Sequence, residues 1–200
     1  MKKTKRLIVL SSVLFCTAAF AEKPYEGAYL SLGVGASRTQ NWKSNLGNAD
    51  AAFKTGTNAR IAVGHRFCDF KIEFEPSYIR LHKKADNNAL GVTGHMRALS
   101  TLGNLYYYFP VNFQFSPYLG VGAGFSSIKM MTNQTVNQAI AKVDNSATKF
   151  TYQGIAGFAF GLNDQTTLNI DYRYLQTEKL SPVERAIRNH SINVGISYYF

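Results

Sequence analysis

From residue 27 to the C-terminus, apolar and polar residues alternate with a period of two, in stretches of about ten residues separated by polar, turn-rich segments. We count eight such stretches. The first, 27–37, sets Leu30, Leu32, Val34 and Ala36 against Tyr29, Ser31, Gly33 and Gly35; the second, 58–67, sets Ile61, Val63 and Phe67 against Arg60, Ala62, Gly64 and Arg66. After a tight turn at Cys68 and Asp69, the third alternates Phe70, Ile72, Phe74 and Tyr78 with Lys71, Glu73, Glu75 and Ser77. The next four, 97–109, 118–128, 150–162 and 166–175, keep the rule, the last setting Leu168, Ile170, Tyr172 and Tyr174 against Asn169, Asp171 and Arg173. The eighth ends the chain with Ile192, Val194, Ile196, Tyr198 and Phe200 on one face. Period two is the mark of a strand with two unlike faces. Pro76 in the third stretch removes a ladder donor, and a bulge is expected there.

Connections of two kinds join these stretches. Those at 68–69, 110–117 and 163–165 are short to moderate, whereas 39–56, 81–95, 129–149 and 176–189 are long and polar. An even number of strands of membrane-crossing length, aromatics near their ends and connections that alternate in length predict an all-β fold. The form expected is an eight-stranded antiparallel transmembrane β-barrel, apolar face outward, with short periplasmic turns and long extracellular loops. A soluble sandwich is the alternative, in which the same apolar face would be the core. In lipid the sheet must close, because hydrocarbon leaves unpaired edge amides without partners.

Composition agrees: 14 Phe, 12 Tyr and 16 Gly in 200 residues suit tightly turned β structure, not a helical bundle or a disordered chain. The N-terminus carries Lys2, Lys3, Lys5 and Arg6, an apolar segment over 7–20, and Ala19-Phe20-Ala21. That is the pattern of an export signal cleaved after Ala21, leaving 22–200 as the barrel. Cys16 follows bulky Phe15, which argues against a lipoprotein cleavage box. Without the four leader cations the net charge falls from +10 to +6, and Cys68 is the one cysteine left, so no internal disulfide is expected.

The segments Asn104-Leu-Tyr-Tyr-Tyr-Phe109, Ser116-Pro-Tyr-Leu-Gly-Val-Gly-Ala-Gly124, Leu168-Asn-Ile-Asp-Tyr-Arg-Tyr174 and Gly195-Ile-Ser-Tyr-Tyr-Phe200 carry a resemblance. The chain resembles the small eight-stranded outer-membrane barrels: the transmembrane domain of outer membrane protein A, outer membrane protein X, and the Opacity and neisserial surface protein A group. The resemblance implies residence in a bacterial outer membrane and a C-terminal signal, here Gly195, Tyr198 and Phe200, read by the barrel assembly machinery. It is specific for architecture and says little of function, because such barrels diverge in their loops. As the chain ends at the eighth strand, no periplasmic wall-anchoring domain is expected.

An eight-stranded barrel is just wide enough for its own side chains. The inward set contains Arg60, Arg66, Lys71, Glu73, Glu75, Asp171 and Arg173, which we read as an ion-pair plug: Arg66 opposite Lys71 and diagonal to Glu73, Arg60 diagonal to Glu75. Tyr29, Tyr106, Tyr108 and Tyr199 are expected opposite interior glycines. A gated ion path through these residues, in a small porin-like channel, is the alternative. Strand parity places Arg38, Arg80, Arg97, Lys129 and Arg188 on the lipid side at the extracellular ends, with Lys83 and Lys84 in the second loop. These cations face lipopolysaccharide phosphates if bound to lipid, and are ordinary solvated charge otherwise. Net-positive loops also suit host surface glycans or glycoproteins; nucleic acid is not an expected partner. His190 and Ser191 are adjacent and so point to opposite faces, which breaks the His-x-Ser arrangement of lipid A deacylases. No metal-ligand spacing appears, no cofactor is expected, and the role expected is non-enzymatic: adhesion or surface interaction, with outer-membrane integrity through lipopolysaccharide contact.

Overall fold

The computed structural model describes residues 25–39, 53–83, 93–109, 111, 114–136, 139–178 and 186–200. The proposed leader and Lys84 therefore lie outside the described residues. The alternating stretches form eight strands, β1 Gly27–Thr39, β2 Phe53–Phe67, β3 Phe70–Lys83, β4 Thr93–Tyr108, β5 Phe115–Val136, β6 Ala139–Asn163, β7 Thr166–Thr177 and β8 Arg188–Tyr199. Each pairs antiparallel with the next, and β8 returns to β1, so the sheet is a closed barrel. The closing seam runs from Tyr29↔Tyr199 to Thr39↔Asn189, and the terminal Phe200 amide donates to the Ala28 carbonyl at 3.0 Å.

Alternation decides which residues face out. Leu32 (56% exposed) and Val121 (64%) stand on the outer wall, while Glu75 and Asp171 (2% each) lie inside. A water-soluble barrel has the opposite order, so the fold is built for an apolar surround.

The interior is filled by matching large residues to glycines across strands, a device suited to a narrow barrel. Tyr29 pairs with Gly64, Arg60 with Gly33, Tyr106 with Gly120, Asn104 with Gly122 and Tyr118 with Gly157. Tyr108 and Tyr199 depart from the expected glycine pairing: they sit opposite Tyr118 and Tyr29, each making a tilted ring pair with its partner near the short-turn rim.

Two further expectations are corrected. Pro76 makes no bulge: on the β2 side the ladder runs to Arg60↔Ser77 and resumes at Val63↔Phe74 in the same register, while Pro76 stays paired with Thr101 of β4. Losing one donor locally is tolerated without shifting the strand. Nor is 129–149 a long loop. Strands β5 and β6 continue to Val136 and from Ala139, with only 137–138 between them, and β4 follows β5 as far as Thr93↔Asn133. Beyond the hydrocarbon a strand has no need of an apolar face, so this extension carries no alternation to read.

A Cβ at Gly64 would collide with the Ile72 carbonyl oxygen and the Tyr29 hydroxyl, whereas one at outward-facing Gly154 would meet nothing within 4 Å. Gly64→Ala should therefore lower the urea stability of the refolded barrel by about 1–3 kcal/mol, the usual penalty for overpacking. Gly154→Ala should leave the midpoint unchanged.

Candidate functional site: a charged lumen and a cationic outer rim

The lumen is stacked in three layers along the barrel axis. Nearest the short-turn rim, Tyr25, Tyr29 and Tyr199 form one cluster, and Tyr106, Tyr108 and Tyr118 pack with Ile155 and Ala159 in another. At the opposite end Ile79, Leu81, Ala98, Ile128 and Ile187 make an apolar layer inside the barrel. Between them lie the charges.

Six of the seven interior charges meet there. Arg173 Nη1 donates to both Glu75 oxygens at 2.7 Å, and Arg173 Nε to Asp171 Oδ1 at 2.8 Å. Arg60 reaches across the lumen, donating to Asp171 Oδ2 at 2.9 Å and to Glu75 Oε2 at 3.4 Å. Lys71 Nζ lies 3.1 Å from Glu73 Oε2 and over the rings of Tyr29 and Tyr106. Neutral donors complete the carboxylates. Tyr29 and Tyr106 hydroxyls donate to Glu73 at 2.7 and 2.8 Å, Asn104 joins them at 3.1 Å, and Tyr118 and Asn193 donate to Asp171 at 3.1 and 2.9 Å. Three cations thus face three carboxylates, the balance that buried charge requires.

Arg66 departs from the expected plug. It sits opposite Lys71 as register requires, but its Nε donates to the Cys68 carbonyl at 3.1 Å and its guanidinium lies 4.1 Å from the Tyr108 ring centroid. Lys71 occupies the place beside Glu73, and Arg66 closes the turn instead. Sequence reading also missed the apolar layer, although extending β3's parity past Tyr78 puts Ile79 and Leu81 on the face of Glu73 and Glu75. Beside the charges a cavity of about 20 Å³, lined by Asn58, Ser77, Gln153 and Asn193 among others, has room for one water.

The outer wall carries the second set. Arg38, Arg80, Arg97, Lys129 and Arg188 are all exposed on the lipid-facing parity near the long-connection rim. Lys83 is placed only as the last residue of β3. Register aligns three of them: Arg80 pairs with Arg97, and Arg97 with Lys129, so three cations stand side by side on adjacent strands. His190 faces outward, its Nδ1 2.6 Å from the Tyr172 hydroxyl, while Ser191 faces the lumen near Asn193, so the two do not form a catalytic pair. Among the described residues no group of His, Cys, Asp or Glu is arranged to hold a metal.

Known proteins resemble the chain in sequence and in fold. The outer membrane protein beta-barrel domain matches residues 7–200. The chain belongs to this family. An outer membrane protein of Gluconacetobacter diazotrophicus is 26% identical over 84% of this chain and 51% of its own length, so the chain spans about half of that relative. Among solved structures, neisserial surface protein A has a TM-score of 0.59 at 19% identity, covering 87% of this chain and 97% of that one. OprG of Pseudomonas aeruginosa gives 0.56 at 15%, covering 89% and 99%. Ail, the attachment invasion locus protein of Yersinia pestis, in complex with the heparin analogue sucrose octasulfate, gives 0.52 at 18%, covering 88% and 99%. At these identities the likeness is one of fold.

Removing one member of the lumen network strands its partners. Arg173→Met should cost the outer-membrane barrel about 3–5 kcal/mol in urea unfolding from lipid vesicles, the penalty of an uncompensated buried charge. Adding Glu75→Gln to that variant should recover part of the loss.

Proposed function

We propose that this outer-membrane barrel is a non-enzymatic surface protein whose lumen is closed, whose outer rim holds lipopolysaccharide, and whose extracellular segments bind polyanionic partners on host surfaces. The observation that carries the reading is the row Arg80, Arg97 and Lys129. Like charges directly opposite on neighbouring strands repel. Set side by side on a lipid-facing wall, they are best satisfied by anions between them, and the phosphates of the outer leaflet are at hand. Their aliphatic stems lie along the wall while the charged ends reach the headgroups. Arg38 and Arg188 extend the same chemistry onto β1 and β8. In this reading contact with lipopolysaccharide stabilises the outer membrane, as charge bridging would. Replacing Arg80 and Arg97 by Glu should weaken lipopolysaccharide binding several-fold; unchanged binding would remove this role.

Host attachment rests on the basic balance of the extracellular segments, with Lys83 and Lys84 among them, and on a neighbour in fold, Ail, whose structure holds a heparin analogue. Charge supplies attraction with little specificity, so sulfated glycans or glycoproteins are the partner class. Cells displaying the barrel should bind heparan sulfate in a salt-sensitive way, and trimming the long connections to short turns should abolish that binding. Equal binding by the trimmed barrel would refute it.

The layered lumen supports a closed barrel over a porin-like channel. Planar-bilayer recording of the refolded protein should show no steady conductance, and nanosiemens openings would overturn this. Gly195, Tyr198 and Phe200 serve assembly in this account, Tyr198 and Phe200 presenting edge-to-face rings 5.2 Å apart on the outer wall. Replacing Phe200 with Asp should lower the yield of assembled barrel in cells.

A further inference from the structure

The lipid-facing wall is not uniformly convex. A groove of about 640 Å³ runs over β1 and β2, floored by small residues and walled by larger ones on either side. Register lays it out in two rows. The upper runs Ile192, Ala36, Thr57, Arg80, and the lower Val194, Val34, Ala59, Tyr78, each residue beside the next across β8, β1, β2 and β3. Ala36, Thr57 and Ala59 are the small side chains of the two rows, where a partner approaches the sheet most closely; Val34, Ile192, Val194 and Tyr78 line the groove around them.

Two arginines bracket its extracellular end. Arg80 stands beside Thr57 in the upper row, and Arg38 lies two residues beyond Ala36 on the same face of β1. Both are exposed. The upper row continues past Arg80 to Arg97 and Lys129, so the groove opens at the level where the wall is most cationic. An apolar channel ending at a pair of guanidiniums fits a molecule with the opposite order, an anionic head on an acyl chain.

We propose that this groove is a binding site for one phosphorylated outer-leaflet glycolipid, lipid A, with an acyl chain lying over Ala36, Thr57 and Ala59 and a phosphate held between Arg38 and Arg80. The proposal rests on the lipopolysaccharide reading above and gives it a position and a second recognition element. Charge-assisted bonds from guanidinium to phosphate fix the head, and burial of methylenes against the small floor fixes the chain. The remaining cations, Arg97 and Lys129, then act on neighbouring headgroups. The apolar outer wall elsewhere, such as that around Ala156 on β6, meets lipid without a bracketing pair of this kind.

The test fills the groove and, separately, removes its charge. Ala59→Phe occupies the floor, Ala156→Phe adds the same ring to the outer wall elsewhere, and Arg38→Gln with Arg80→Gln removes the phosphate clamp. Each variant is checked for heat-modifiable gel mobility, then titrated with purified bisphosphorylated lipid A and with its monophosphorylated form by native mass spectrometry. Ala59→Phe should weaken lipid A binding about tenfold, the loss of one or two buried methylenes' worth of contact, with Ala156→Phe unchanged. The double glutamine variant should lose a similar factor and no longer distinguish the two phosphorylation states. Full-strength binding by Ala59→Phe overturns the site. If Arg97→Gln with Lys129→Gln then still weakens binding, the general lipopolysaccharide reading survives without the groove; if no variant changes binding, both fail. Appearance of a dimer that Ala59→Phe abolishes would assign the groove to a second copy of the chain and overturn the lipid occupant.

Discussion

Hydrocarbon offers no partner for a backbone amide, and everything else in this structure follows from that. A sheet that crosses a membrane must pair its first strand with its last, and here β1 and β8 do so along a seam of eleven residue pairs that ends at the terminal Phe200. Closing eight strands fixes a narrow lumen. A narrow lumen in turn fixes the interior sequence: wherever Tyr29, Tyr106, Tyr118 or Arg60 projects inward, the neighbouring strand supplies a glycine.

The same constraint explains the charge distribution. Carboxylates and cations confined to that lumen must neutralise one another, and three of each do so through hydrogen bonds that also recruit Tyr29, Tyr106, Tyr118, Asn104 and Asn193. Aromatic and apolar layers lie above and below that network. The outer cations obey a different rule. They have no carboxylate partners in the described ion pairs, and Arg80, Arg97 and Lys129 stand in register with each other, which supports the proposed contact with anions.

Much of this was legible in the sequence because the side-chain period of a strand is two and one face must be apolar. The strand number, the inward set and the outward cations all came from parity. What parity cannot supply is which charges meet across the lumen. Arg60 and Asp171 are joined through the barrel's circumference, not along a ladder, and Arg66 was drawn from the network by the nearby turn carbonyl of Cys68 and the ring of Tyr108. The extension of β5 and β6 was illegible for another reason: above the membrane no face is selected for apolarity, so strands and polar loops look alike. The apolar layer of Ile79, Leu81 and Ile128 lies at the ends of the alternating stretches, where inward parity carries apolar rather than polar side chains.

The central claim is that the interior charges form a dry, paired plug within a lipid-embedded wall. Solvent exchange of individual side-chain protons in a bilayer, followed by nuclear magnetic resonance, tests it most directly. Protons on Lys71 Nζ and on the Arg60 and Arg173 guanidiniums should exchange orders of magnitude more slowly than those on rim-exposed Arg188 in the same sample. Exchange at all three sites as fast as at Arg188 would mean a wet lumen and would contradict the account.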